Sequence, residues 1–187
     1  MPIIKNQFGG KATIRATANA TFALHDFSLP YDRQTGNVAI TGANVVGTGT
    51  SFLTNFSNGS YVHVVVNSTY SESRPINQVA NATFMNVTTN WTSGNTDTTF
   101  YKAETVSGVE IASVTFTSNG SWTVARGANT LLVLHGTDNF DLYQKGQALQ
   151  EFSGANINVS HSSAATGTLI LEVSKRVSTS NNQVTIG

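Results

Sequence analysis

The 187-residue chain reads as an all-β protein: a β-sandwich formed by its N- and C-terminal segments, with a small β-barrel module inserted between them. Three observations predict this. Short runs rich in Val, Ile, Thr and aromatic residues alternate apolar with polar positions. Gly, Asn and Ser interrupt these runs roughly every ten residues, the rhythm of sandwiches and barrels. No stretch of helical length carries a 3.6-residue apolar period. The best helical candidate, Tyr143 to Phe152, is weakened by Gly146.

The elements follow in order. Ala12, Ile14 and Ala16 alternate with Thr13, Arg15 and Thr17, and Phe22 and Leu24 alternate with Thr21, Ala23 and His25. A loop is expected over Pro30 to Gly36. Tyr61 to Val66 is a nearly continuous β-branched run. Val114 and Phe116 precede Ser118-Asn119-Gly120-Ser121, and Trp122 and Val124 follow it. Asn and Gly both tolerate positive φ, so this pair predicts a hairpin turn. Arg126-Gly127-Ala128-Asn129 predicts another turn, with Arg126 in solvent or anchoring a subunit contact. Leu131 to Leu134, Phe140 to Tyr143, Ile157 to Val159 and Thr168 to Val173 complete the strands, and the polar tail Ser178 to Gln183 is expected to be mobile. Trp122 is in phase with Val124, which favours a core position over an interface anchor.

Composition divides the chain into zones 1–36, 37–104 and 105–187. Two strand-like runs cannot bury a face alone. The first zone therefore needs the third as its partner, and the middle zone becomes an insertion.

Charge narrows the function classes. Ten Lys and Arg balance ten Asp and Glu, whereas a nucleic-acid binder should be basic. Charged residues make up 11% of the chain, against about 25% in ordinary domains. Either the surface is made of Thr, Asn and Ser, or much of it meets other subunits. Cysteine is absent, which removes disulfides, thiolate metal sites and cysteine nucleophiles. Met1 to Phe8 lacks a signal-like apolar run, and no run is long enough to span a bilayer as a helix; a product made in the cytoplasm and kept out of the membrane is expected. Sequons at Asn19, Asn55, Asn58, Asn67, Asn81, Asn86, Asn90, Asn119 and Asn158 invite a glycoprotein reading, which the lack of a signal and of disulfides opposes.

A search for chemistry yields no catalytic, cofactor or metal residues. His25, His63, His135 and His161 form no HExxH or His-x-His pattern. His25-Asp26 and His135 with Asp138 read as solvated strand ends, and Asp138 and Asp141, three apart, are an isolated pair that does not by itself make a cation site. A phosphate-binding Gly-x-x-x-x-Gly-Lys-Ser/Thr loop is missing.

Two patterns carry a likeness. Thr41 to Phe52 contains Gly47-Thr48-Gly49-Thr50-Ser51-Phe52 and leads into Leu53 to Val64. Ile76 to Val79 and Ala82 to Val87 continue it, and Trp91 and Tyr101 stand near its end. This resembles a small β-barrel module of tailed-phage structural proteins. Read physically, Gly47 and Gly49 supply conformations closed to their β-branched neighbours, and Phe52 plugs the barrel end. The outer segments Phe8 to Arg15, Ser121 to Leu134, Phe140 to Leu142 and Gly167 to Lys175 are similar to small virion structural proteins of marine tailed phages, notably cyanophages.

The resemblance implies a non-enzymatic virion component made in the host cytoplasm. The leading expectation is a capsid decoration or cement protein that binds the major capsid protein as a homotrimer, without nucleic acid or membrane. Its expected contacts are Ile3, Ile4, Phe8, Arg15, Tyr31 and Arg33, chosen as residues of an N-terminal arm and a loop. The alternative is a tail or neck fibre component that recognises host glycan, with Tyr70, Trp91 and Tyr101 exposed to stack on sugar rings.

Overall fold

The structure, a computed structural model, describes residues 3–7, 10–67, 70–142, 153–162 and 166–178. The candidate helix Tyr143 to Phe152, Phe8 and the tail beyond Ser178 lie outside these residues. The described chain is almost entirely antiparallel strand, in chain order β1 (Ile3–Asn6), β2 (Lys11–Ala16), β3 (Ala20–Phe22), β4 (Pro30–Arg33), β5 (Asn37–Thr41), β6 (Asn44–Thr48), β7 (Tyr61–Asn67), β8 (Tyr70–Val79), β9 (Phe84–Val87), β10 (Asn95–Thr98), β11 (Phe100–Ala103), β12 (Thr105–Arg126), β13 (Asn129–Asp141), β14 (Ile157–His161) and β15 (Gly167–Ser178). A 3-10 turn, Leu24–Phe27, and one short helix α1, Phe52–Asn55, complete it. The all-β class expected from the alternation is what the chain adopts. The strand expected through Leu24 and His25 stops at Phe22 and becomes the 3-10 turn, where Asp26 Oδ2 accepts the Ala23 N–H at 2.8 Å.

The chain divides into two units. Among the described residues, one comprises those within 1–27 and 106–177; the other comprises those within 28–105. The sandwich unit orders its strands β1-β2-β15-β12-β14-β3, with β13 added on β12. Ile14, Leu169, Leu171, Val124, Ile157 and Trp122 are fully buried in its core. Burial of each such side chain contributes about 1.5–3 kcal/mol.

Asn119-Gly120 does not turn the chain back. The β12–β13 ladder runs through it: Ser118 faces Gly136 and Ser121 faces His135, so Asn119 and Gly120 form a bulge on β12. The chain reverses instead at Gly127 (φ 55°), between the paired Arg126 and Asn129. The bulge has a structural reason. Beyond it, Trp122 to Arg126 pair with β14, while before it Thr117 meets β15, its Oγ1 accepting from Thr168 N at 3.2 Å. One long hairpin thus changes neighbours at a corner made by unpaired residues. Gly167 sits against this corner so closely that a Cβ there would lie 2.1 Å from Thr117 O.

The second unit orders its strands β10-β5-β6-β9-β8-β7-β11-β4. β10 pairs with β5, and β11, one residue later, pairs with β7. Val65 N donates to Thr99 O at 3.1 Å, and the Asn95 and Thr98 side chains donate to Val66 O and Val65 O. Residues 95–103 therefore stitch both margins together, and the sheet curls into a partly closed barrel. Phe52 is fully buried in its core, edge-on to Phe100 (5.6 Å) and Phe56 (6.1 Å). In the Gly-Thr-Gly-Thr turn, Gly49 takes φ 68°, while Gly47 leaves the space that Thr50 and Phe52 occupy. Thr50 Oγ1 then ties the turn to Ala82 O at 2.9 Å. The segment Pro30 to Gly36, expected as a loop of the first zone, instead begins with β4, an edge strand of this unit. Pro30 stands first in that strand, where a missing N–H is tolerated.

Candidate functional site

The residues expected to touch a partner fall into separate places. Ile3 and Ile4 are not on a free arm: β1 pairs with β2, with Ile3 opposite Arg15 and Ile4 opposite Ile14. The alternation of Ile3, Ile4, Lys5 and Asn6 lets one side of β1 pack on the core while the other faces solvent. Ile4 packs against the core, whereas Ile3, 47% exposed, stands beside the exposed Arg15. Tyr31 and Arg33 are likewise in a strand, β4. Phe8 lies outside the described residues.

Arg33 takes part in a row that the sequence did not suggest. It faces Tyr101, Tyr101 faces His63, and His63 faces Ser73, across β4, β11, β7 and β8. His63 Nδ1 lies 2.9 Å from Ser73 Oγ, and its ring stands edge-on to Tyr101 at 6.1 Å. Burial pushes the His63 imidazole down to about 4, against a smaller opposing pull from Glu72.

The three aromatics expected to form a glycan platform do not share a surface. Tyr70 precedes Glu72 and Arg74 by two and four positions on β8, on the face opposite Ser73. Trp91 is buried, not exposed, with the Arg74 guanidinium 5.7 Å above its ring. Tyr70 is half-buried against the barrel core, and Tyr101 lies half-buried in the His63 row. Trp91 reads as exposed because Asn90 and Thr92 flank it; its cover comes from Arg74, far away in sequence. Arg74 also donates to Ser73 O (2.8 Å), Asn90 O and Thr92 Oγ1 (both 3.2 Å), and pairs with Glu72. Glu72 accepts from Thr92 N and Thr92 Oγ1, both at 3.0 Å. All of these bonds run between residues of the barrel unit.

The remaining polar candidates are spread out. His25 Nε2 lies 3.6 Å from Asp26 Oδ1. Among the described residues, no group of three His, Asp or Glu side chains is arranged to hold a metal ion. Arg126 is buried inside the sandwich unit, donating to Val109 O at 2.6 Å and Ala155 O at 3.1 Å. Burial lowers its affinity for the proton below that of an ordinary guanidinium. Trp122 is fully buried and stacks on His161 at 4.2 Å. His161 Nε2 in turn lies 2.7 Å from Ser118 Oγ, a pair that the sequence left 43 positions apart.

What the surface does offer is apolar. Ile3, Val46, Leu53 and Val133 are each about half exposed or more. Val133 borders a concavity of the sandwich unit lined by Phe116, Leu132, Leu134 and Phe140. Compared with protein-family models, curated proteins and solved structures, the chain matches none.

Proposed function

We propose that this chain is a non-enzymatic structural protein of a phage virion, acting as a decoration or cement protein on the outside of the head. The observation that carries the reading is the edge strand β1. Among the described residues it pairs only with β2, and it presents Ile3 beside Arg15 on an exposed face. An unpaired strand edge with an exposed Ile is a template for another chain. The low charge of the whole chain, 11%, and the exposed Val46, Leu53 and Val133 add to it. So does the likeness of the outer and middle segments to tailed-phage structural proteins.

The partner is the major capsid protein, met by a homotrimer at local three-fold positions of the shell. The mechanism is mass action. A protein that binds only the assembled shell stabilises that shell by its own binding free energy, and trimeric attachment adds avidity. The glycan-binding alternative needs the Trp91 ring at the surface, and that ring lies under Arg74.

Quantitative mass spectrometry of purified particles tests the assignment. Copies in a fixed ratio to the major capsid protein over the whole shell support it. A small ring of copies at one vertex overturns it.

A further inference from the structure

The corner of the sandwich unit brings an Asn-Gly dipeptide together with a hydroxyl–imidazole pair. Gly120 N donates to Ser118 Oγ at 2.9 Å. Ser118 Oγ lies 2.7 Å from His161 Nε2. With its proton on Nδ1, His161 accepts from Ser118, so that Gly120 N–H, Ser118 O–H and His161 Nε2 form one proton path. The side-chain carbonyl of Asn119 is held from the other side: its Oδ1 accepts the Thr166 N–H at 2.6 Å. A second bond, from Asn119 N to Thr166 O at 3.2 Å, fixes the residue in place. His161 is itself held by the ring stack on Trp122 and by its backbone N–H, which donates to Asn19 Oδ1 at 2.7 Å. Asn119 is exposed, so water reaches it, while Ser118, Gly120 and His161 are half-buried.

We propose that Asn119-Gly120 is a self-modification site at which the folded protein converts its own asparagine to aspartate and isoaspartate. Gly120 N attacks Asn119 Cγ, and Gly120, having no Cβ, puts no side chain of its own in the way. The N–Cγ bond forms and a succinimide ring closes. The proton of Gly120 N passes to Ser118 Oγ, and the Ser118 proton passes to His161 Nε2. Negative charge developing on Asn119 Oδ1 is met by the Thr166 N–H, in the manner of an oxyanion hole. The Cγ–Nδ2 bond then breaks, His161 returns a proton to Nδ2, and ammonia leaves. Water opens the ring at either carbonyl. Nothing is oxidised or reduced, and the only co-reactant is water.

The chain carries its own control. Asn58-Gly59 is the same dipeptide on an exposed turn, where Asn58 Oδ1 accepts from Val79 N at 2.9 Å and the neighbouring hydroxyl of Ser60 donates to Ser57 O at 2.7 Å. Full-length protein is incubated at neutral pH and sampled for peptide mass spectrometry with isoaspartate detection. The expected result is conversion at Asn119 about tenfold or more faster than at Asn58, with the two rates converging in denaturing urea. His161→Gln should slow Asn119 by a similar factor and leave Asn58 unchanged. Because that change also removes the Trp122 stack, Ser118→Ala, which keeps the stack, is run beside it with the same expectation. Asn119 converting no faster than Asn58 in the folded protein overturns the proposal. So does an unchanged Asn119 rate in a folded Ser118→Ala variant.

Discussion

Arg74 and Glu72, two positions apart on β8, form an ion pair on the face that lines the barrel interior, opposite Val62 and Val64. Both side chains are nearly buried. Two charges taken out of water need each other and every remaining hydrogen bond. Thr92 supplies two of these bonds to Glu72, and the Asn90 and Ser73 carbonyls receive two from Arg74.

Removing one partner should therefore cost more than removing both. Glu72→Ala or Arg74→Ala is expected to destabilise the protein by about 3 kcal/mol or more. The double variant Glu72→Leu with Arg74→Met should lose less than either single change. Equilibrium urea unfolding of the three variants checks this. Single losses that simply add would contradict the coupling.

His63 predicts a stability that depends on pH. Its folded proton affinity is depressed to about 4 from an ordinary value near 6.5. The unfolded chain therefore binds the proton first as pH falls. Stability is fully present above about pH 6.5 and is lost progressively down to about pH 4, by up to roughly 3 kcal/mol. Unfolding at pH 7 and at pH 4.5 measures it. His63→Gln should flatten the part of the profile due to this residue, and an unchanged slope would rule it out.

Two glycines separate backbone crowding from simple composition. Gly167→Ala places a methyl group 2.1 Å from Thr117 O, a backbone atom that cannot move aside cheaply. A loss of about 2–4 kcal/mol is expected. A Cβ at Gly10 meets nothing within 4 Å, so Gly10→Ala should stay within about 0.5 kcal/mol. Thermal unfolding of both variants decides between them.

If β1 carries the shell contact, substitutions on its exposed face should act on binding and not on folding. Ile3→Lys and Arg15→Glu are expected to lower occupancy on undecorated shells about tenfold or more with little change in melting temperature. Ile4→Lys, on the core side, should fail through stability instead. Undiminished occupancy for Ile3→Lys would remove β1 from the interface.

The sequence made the fold class legible because alternation is a local signal. Lys11–Ala16, Tyr61–Asn67 and Ile157–His161 are strands where the pattern placed them. Asn119-Gly120 misled because the same dipeptide suits a hairpin turn and a bulge. The choice was made by β14 and β15, which claim different halves of β12. Pro30 to Gly36 read as a loop because edge strands tolerate Pro and polar residues, and so imitate loops. The polar clusters were not legible. His63 against Ser73 and Ser118 against His161 are cross-strand encounters, and Trp91 reaches Arg74 from the connection between β9 and β10. Register depends on how distant strands align, which no short window of residues encodes.

Where the 28–105 segment begins and ends, the backbone meets itself. Ser28 Oγ donates to Glu104 O at 2.6 Å, and Glu104 N donates to Leu29 O at 2.9 Å. Entry and exit are thus fastened side by side, so the host chain around it pays a closure entropy closer to that of a tight turn than of a long loop. Such a segment behaves as a cassette: a foreign domain whose own termini lie equally close could be grafted in its place.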